Sequence, residues 1–382
     1  MNQGNVLLYS PGLGYINRGG ETFTRKLHKV LTQKQDLQVT LFQGAGKLIE
    51  GATKVWAPRR NARFYDCRLF SGFKPKSYWI ESLIFSLPLA LHCYSQPCDI
   101  IHFNESVPAN VLYHLRRRFG GRFRLLLCNG APLLPMHYKR YDYVQTLTPT
   151  YYQEALESGY PKENLFLVTH GLDCQLFAKQ LDSQTIALKR QAWNLPTDRS
   201  LILSVGAVNT GHKRMDWLVT EFSKLDPKKF FLWIVGQPEA ETQTVKDLAA
   251  AMLKPGSYTF DVVPYARMPE VYAIADYFAM CSLKEGFGLV YIEAMAAGLP
   301  TIAHRTLNTE WILGMDNRGL INMGRPDTLR DQVLYFEAHP QERRQQASWN
   351  QVHAREKFDW SSLYDQYLWM YQQMLAKPAS SR

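Results

Sequence analysis

The segment SLKEGFGLVYIEAMAAGLP, residues 282–300, sets two glutamates, Glu285 and Glu293, on either side of seven residues. Ahead of it, residues 277–281 (YFAMC) form a short apolar run of the kind that makes a buried strand. Gly286, Phe287 and Gly288 follow the first glutamate as a turn, and an Ala/Met-rich helix carries the second. The unit is therefore strand, glycine turn, helix N-terminus. Gly286 and Gly288 let the backbone come close to a ligand. The first N–H groups of the helix, from Phe287 through Leu289 to Val290, have no partner within it and together with the helix dipole can hold an anion. A nucleoside diphosphate suits that place, with Glu285 accepting from sugar hydroxyls and Glu293, two turns on, from a ribose. The plainer reading is a Gly-x-Gly turn that only joins a strand to a helix in a parallel sheet.

At 382 residues the chain is long enough for two domains, and 46% hydrophobic against 20% charged residues marks it as globular. Six cysteines, at 67, 93, 98, 128, 174 and 281, include no Cys-x-x-Cys pair and no metal-ligand spacing. They read as reduced thiols filling a core, as in a cytoplasmic protein. The start has no charged stretch followed by an apolar run, so no signal peptide is expected. The longest apolar stretch, residues 83–94, contains Pro88 and is too short to cross a bilayer. Net charge is +10, with basic clusters at Arg59, Arg60, Arg63, Arg68, Lys74 and Lys76, and at Arg116–Arg118, Arg122 and Arg124. Phe64, Tyr65, Phe70, Phe73, Tyr78 and Trp79 interleave the first. Such clusters are either solvated faces or a surface for an anionic lipid or substrate, and the aromatic mixture suits a membrane interface. No nucleic-acid recognition motif accompanies them.

Apolar runs recur along the chain at residues 5–9, 38–42, 99–103, 124–128, 144–147, 201–205, 230–235, 258–264 and 301–303, with helical patterns between them. This is the alternation of an α/β protein with parallel sheets. After the first run, Gly12 and Gly14 are followed at position 17 by asparagine where a dinucleotide fingerprint needs glycine, which argues against NAD. Residues 21–33 read as a helix, residues 51–94 as a less regular, aromatic and basic region. Asn104 and Glu105 stand at the C-terminal end of a strand, where open sheets bind ligands. Trp360, Leu363, Tyr367, Met370, Tyr371 and Met374 recur at helical spacing in a core-facing last helix, and the end, KPASSR, reads as frayed.

The string Glu285-Gly286-Phe287-Gly288, Glu293-Ala294-Met295-Ala296, Gly298 and Pro300 resembles the donor-site signature of glycosyltransferase family 4, retaining enzymes of the GT-B fold. Other segments fit the same resemblance. Gly19-Gly20-Glu21 is similar to the family's Gly-Gly loop over the donor diphosphate. His170-Gly171-Leu172-Asp173 with Phe177 is similar to its hinge, where His170 reads as a hinge residue or a ligand. Lys213 falls on the lysine that reaches the diphosphate, and Val263 to Tyr265 on the segment that holds the base. Two positions depart from the pattern. Ala207 stands where the family has arginine, leaving His212 and Arg214 to add charge beside Lys213, and Asn104 stands where a second histidine follows His102. Asn104 keeps the ability to hydrogen-bond a sugar hydroxyl, while His102 reads as a strand residue and Glu310 as a helix-start residue.

The resemblance implies two Rossmann-like domains facing a central cleft. Residues 1–172 with 358–382 form the acceptor side and residues 173–357 the donor side, the C-terminal helix crossing back to the first domain. It implies retaining transfer of a sugar from a nucleotide sugar (a UDP-sugar by preference, a GDP-sugar as the other choice) to an acceptor hydroxyl in glycan, polysaccharide or glycolipid biosynthesis. Catalytic roles fall to Glu285, Lys213 and Asn104. Donor binding falls to Gly19, Gly20, Lys213, Arg214, Val263, Glu285, Gly286, Phe287, Gly288, Leu289 and Glu293. No Asp-x-Asp string occurs, and neither a cofactor nor a metal is implied. The expected partners are the nucleotide sugar, a glycan or lipid-linked acceptor and an anionic membrane face, with no nucleic acid; the expected place is the cytoplasm, peripheral at the inner membrane. The departures at 104 and 207 leave a non-catalytic sugar- or nucleotide-binding subunit as the alternative, and a phosphorylase or epimerase on the same fold as another.

Overall fold

In the computed structural model, residues 4–16, 19–66, 76–130, 135–178 and 180–377 are described. Asn17, Cys67, Arg68, Phe70, Phe73, Lys74 and the chain end from residue 378 lie outside them, as do the side chains of Phe64 and Tyr65. The chain divides into two compact units, Met1–Gly171 with Leu363–Arg382, and Leu172–Ser362.

The first unit holds β1 (Gly4–Ser10), β2 (Leu37–Gln43), β3 (Ala52–Lys54), β4 (Ile100–Phe103), β5 (Arg124–Asn129), β6 (Tyr143–Thr146) and β7 (Leu165–Leu167). They make one sheet in the order β3-β2-β1-β4-β5-β6-β7, and every pairing is parallel. Its central strands are apolar on both faces, because helices cover a parallel sheet on both sides. Leu7, Tyr9, Ile101, Phe103, Leu125, Leu127 and Val144 pack with Phe85, Leu89, Leu112 and Phe123 in one buried cluster. Truncating such a side chain to alanine costs about 2–5 kcal/mol. The sheet grows outward from β1 and β4, so the chain reverses direction across the sheet between these neighbours. That switch point is where open α/β sheets open a crevice at the strands' C-terminal ends.

The second unit repeats the plan. Its strands are β8 (Ser200–Val205), β9 (Phe230–Val235), β10 (Tyr258–Asp261), β11 (Tyr277–Met280), β12 (Thr301–His304) and β13 (Leu320–Ile321). The order is β10-β9-β8-β11-β12-β13, again all parallel. Here the switch point lies between β8 and β11, paired at Tyr277 with Ile202 and Phe278 with Leu203.

The last helix, Trp360–Ala376, begins in the second unit, and from Leu363 onward its residues belong to the first. Within the first unit its aromatic ridge is anchored by polar tips. The Tyr367 hydroxyl donates to the Thr169 carbonyl at 2.8 Å and accepts from Gln145 Nε2 at 2.9 Å. The Tyr371 hydroxyl lies 2.8 Å from His102 Nδ1, and the Tyr364 hydroxyl donates to Asp36 at 2.7 Å.

Two expectations change. The region read as irregular contains a long helix: α1 spans Gly19–Leu31, and α2 spans Ser77–Ser95 with Pro88 inside it. The pattern of α2 misleads because apolar residues lie on both its buried and its exposed side. The basic clusters also divide. Arg60 turns inward to Glu81 (2.6 Å) and Glu105 (3.4 Å), Arg116 to Asp142 (2.6 Å), and Arg124 is buried. Acidic partners brought in from distant segments meet Arg60 and Arg116, a pairing that burial of a charge requires, while Arg124 donates to the Lys377 carbonyl at 2.5 Å. Arg59, Arg63, Lys76, Arg117, Arg118 and Arg122 remain exposed. No helix among the described residues is long and apolar enough to cross a membrane.

Candidate active site

The loops after β8 and β11 start from neighbouring strands, so their residues meet at the switch point. On the first, Asn209 organises the turn: its Oδ1 accepts from the backbone N–H of Lys213 at 2.7 Å and of His212 at 3.2 Å. Asn209 is itself held by Nδ2 donating to Glu239 at 2.7 Å. This places the Lys213 stem across Gly206, where an added Cβ would lie 3.2 Å from Lys213 Cε. Lys213 Nζ reaches Glu285 Oε1 on the second loop at 2.6 Å, with the two side chains only 14% and 6% exposed. His212 Nε2 stands 4.0 Å from the other carboxylate oxygen. A shielded pair of this kind is a strong charge-assisted hydrogen bond.

Past Glu285 the chain turns through Gly286 and Phe287 to Gly288, which adopts φ +71° and caps the helix Leu289–Ala296 without a side-chain hydrogen bond. Its Cβ, if present, would sit 2.7 Å from the buried Tyr291 ring. The helix N-terminus thus comes within three residues of Glu285 in the chain, and its first N–H groups form the positive end of the dipole. Asn308 braces the turn by donating to the carbonyls of Glu285 and Gly286 at 3.2 and 3.3 Å.

Glu293 lies further along this helix and is buried. Burial lifts its carboxyl to about 7, against hydrogen bonds from Tyr272, at 2.8 Å, and Tyr265, which lower it. Tyr265 closes the segment that begins at the buried Val263, so the stretch expected to hold a base does come to Glu293. Arg214 does not join Lys213. It adopts φ +49°, its guanidinium donates to the carbonyls of Met323 at 3.0 Å and Cys281 at 3.4 Å, and it stacks on Trp217. Glu310 sits in the first turn of the helix Leu307–Leu313, paired with Arg305 at 2.8 Å.

In the first unit, Asn104 follows β4, and α1 starts after β1. Asn104 Nδ2 donates to the Gly20 carbonyl at 3.2 Å and to Thr24 Oγ1 at 3.3 Å, so these two expected residues are joined. Gly19 opens α1, and among the described residues beyond its own helix no atom lies within 4 Å of where a Cβ would stand. His102 and His170 are buried, and desolvation holds each imidazole at about 3, neutral at any ordinary pH. His170 stacks on Phe23 at 3.8 Å between ring centroids and is part of the packing. Burial also lifts Glu105 to about 7, although Arg60 opposes the shift.

Asn209, Asn308 and Tyr272 carry much of this geometry and were not singled out in the sequence. The Asn-Thr-Gly turn signal at 209–211 was there to be read. Nothing local marks Asn308 or Tyr272, which act across 21 to 23 residues of chain.

Comparison with known proteins sets this geometry among relatives. The family "Glycosyl transferases group 1" matches residues 185–351. The D-inositol 3-phosphate glycosyltransferase of Jonesia denitrificans is 31% identical over 150 residues, 37% of this chain and 35% of that protein. The mannosylfructose-phosphate synthase of Agrobacterium fabrum is 28% identical over 178 residues, 43% and 38% of the two chains. The chain spans a third to a half of the length of the curated relatives it matches first. Among solved structures, a glycosyltransferase from Rickettsia africae superposes with a TM-score of 0.78 at 16% identity, covering 99% of this chain and 100% of that one. Anabaena Alr3699/HepE, solved in complex with UDP and glucose, gives 0.74 at 15% identity, covering 97% and 100%. At these identities the likeness to the solved structures is one of fold. The chain carries a glycosyl transferases group 1 domain and has the GT-B fold of glycosyltransferases.

Proposed function

We propose that this protein transfers a sugar from a nucleoside-diphosphate sugar to an acceptor hydroxyl with retention of configuration, in the building of a glycan, polysaccharide or glycolipid. The observation that carries the reading is the 2.6 Å pair between Lys213 and Glu285, set at the switch point beside a glycine-capped helix N-terminus. A diphosphate at that N-terminus gives Lys213 an anion that replaces its carboxylate partner. Negative charge builds on the phosphate oxygen as the glycosidic bond breaks, and Lys213 with the helix N–H groups stabilises it. Glu285, released from the ion pair, accepts from hydroxyls of the sugar. Glu293 accepts from the ribose, and the 263–265 segment holds the base. The leaving phosphate takes the acceptor proton on the same face, so retention needs no protein nucleophile. UDP is the preferred nucleotide, a choice supported by the fold relative solved with UDP and glucose. The acceptor is lipid-linked or a glycan met at an anionic membrane face on the cytoplasmic side.

A thermal-shift series with UDP, GDP and ADP names the donor class; a ligand at a hundred times its Kd adds about 2.7 kcal/mol. With the donor known, Lys213→Ala and Glu285→Gln are each expected to lower kcat on the order of a hundred- to a thousandfold. Changed together they are expected to lose close to the product of the two, since Lys213 acts on the diphosphate and Glu285 on the sugar once the pair is broken. Wild-type turnover in the Glu285→Gln protein, or an inverted anomer in the product by NMR, would sink the reading.

A further inference from the structure

The helix α2 is apolar on both sides. Its buried face carries Phe85, Leu89, Ala90 and Cys93 together with Ser77, Glu81, Ser82 and Ser86. Its solvent face carries Trp79, Leu83, Leu87 and Leu91, which are 56%, 50%, 69% and 72% exposed. These four residues lie four apart, so they form one ridge about 18 Å long at 1.5 Å per residue. A surface helix in water shows the opposite arrangement, with its polar face outward. The only charged residue within α2 is Glu81, and it is buried against Arg60.

The ridge ends beside a cationic rim. The helix α3, Ser106–Phe119, packs on α2, and the Tyr94 hydroxyl donates to the Gly120 carbonyl at 2.7 Å, tying the two C-terminal ends together. Arg117, Arg118 and Arg122 project there into solvent, next to Phe119, which is 70% exposed. Residues 106–124 contain no aspartate or glutamate. The patch is thus apolar along its length, positive at its end, and free of exposed acids along α2 and residues 106–124.

We propose that the α2 ridge and the arginines at the end of α3 dock the first unit onto an anionic lipid surface, with α2 lying in the interface plane. This deepens the membrane partner in the proposed function and moves it from the 59–79 stretch, whose Arg60 points inward, to α2 and α3. An apolar ridge with one positive end matches acyl chains beneath anionic headgroups. A second copy would bring the same arginines and a chain of net charge +10 against them, so like charges oppose self-docking.

Co-sedimentation of the full chain with phosphatidylcholine vesicles, with and without phosphatidylglycerol, tests this at low and high salt. Wild type is expected to pellet with the anionic vesicles at low salt. The combined Leu83→Glu, Leu87→Glu, Leu91→Glu protein is expected to stay in the supernatant. The combined Arg117→Gln, Arg118→Gln, Arg122→Gln protein should partition on the order of a hundredfold more weakly, at about fivefold per arginine. A UDP thermal shift equal to wild type verifies that each variant is folded. Three results overturn the docking: no pelleting of wild type at low salt, equal pelleting on both vesicle types, or a leucine-dependent dimer that leaves the vesicles alone. Sugar transfer to a soluble acceptor separates the two proposals. Loss of vesicle binding with transfer intact removes the docking only, whereas vesicle binding without transfer removes the enzymatic reading only.

Discussion

Glu293 shows how one side chain is placed by forces that pull in opposite directions. Its helix buries it completely, which favours the protonated form, while Tyr272 and Tyr265 donate to it and favour the charged form. Burial wins, and the carboxyl titrates near 7 in the fold against an ordinary value of 4.5. The sign of the linkage follows. Between these two values the folded state holds a proton that the unfolded state has lost, so this residue makes stability fall as pH rises from 4.5 to 7, and change no further above. The Glu293→Gln protein keeps an acceptor for Tyr272 but has nothing to titrate. Its stability relative to wild type is expected to rise across that window by ~3 kcal/mol. Urea unfolding at a series of pH values reads this directly, and a constant difference between the two proteins would contradict it.

An element can be as constrained as a residue, and the turn from β11 into the helix Leu289–Ala296 is the tightest case. Gly288 must adopt φ +71°, and the Tyr291 ring fills the space a Cβ would need. Tyr291 is fully buried, so it has nowhere to move. Gly288→Ala is therefore expected to cost about 1–3 kcal/mol in stability. It should also weaken nucleotide binding, because the strained turn shifts the N–H groups that follow. Calorimetric titration with the nucleotide identified above checks this, and binding at wild-type strength would show that the helix N-terminus is not part of the donor site. The string from Glu285 to Pro300 made this element legible, because a glycine at each required point and an apolar helix are local features. The α2 helix was not legible, because apolar residues lie on its buried and its exposed side alike and leave no single stripe to read.

At the scale of the molecule, two sheets with separate cores share one chain, and the last helix starts in one unit and packs in the other. The first unit depends on that packing. Tyr371 reaches His102 Nδ1 from 269 residues away in the chain, inside a core where desolvation keeps the imidazole neutral. Tyr371→Phe deletes that bond and leaves a buried nitrogen without it, at a cost of about 1–3 kcal/mol. The loss falls on Met1–Gly171 with Leu363–Arg382, while on the proposed reading the donor nucleotide stabilises Leu172–Ser362. Differential scanning calorimetry is expected to show the variant and the nucleotide acting on different transitions. A single transition that moves with both would mean that the units unfold together.

The amino-acid sequence by itself determined the parallel α/β class, most of the strands and the helix that carries Glu293. These rest on short-range regularities: runs of apolar residues, glycines where the backbone must turn, and a helix period. Tertiary structure alone decided which loops meet. Lys213 and Glu285 are 72 residues apart in the chain, and they touch only because β8 and β11 are neighbours at the point where strand order reverses. Tertiary structure also sorted the cations, since a guanidinium turns inward only where a carboxylate or a backbone carbonyl from another segment meets it. Arg60 found Glu81 and Glu105, Arg116 found Asp142, and Arg214 found backbone carbonyls, while Arg117, Arg118 and Arg122 found water. Charge is written residue by residue, but its partners are assigned by the fold.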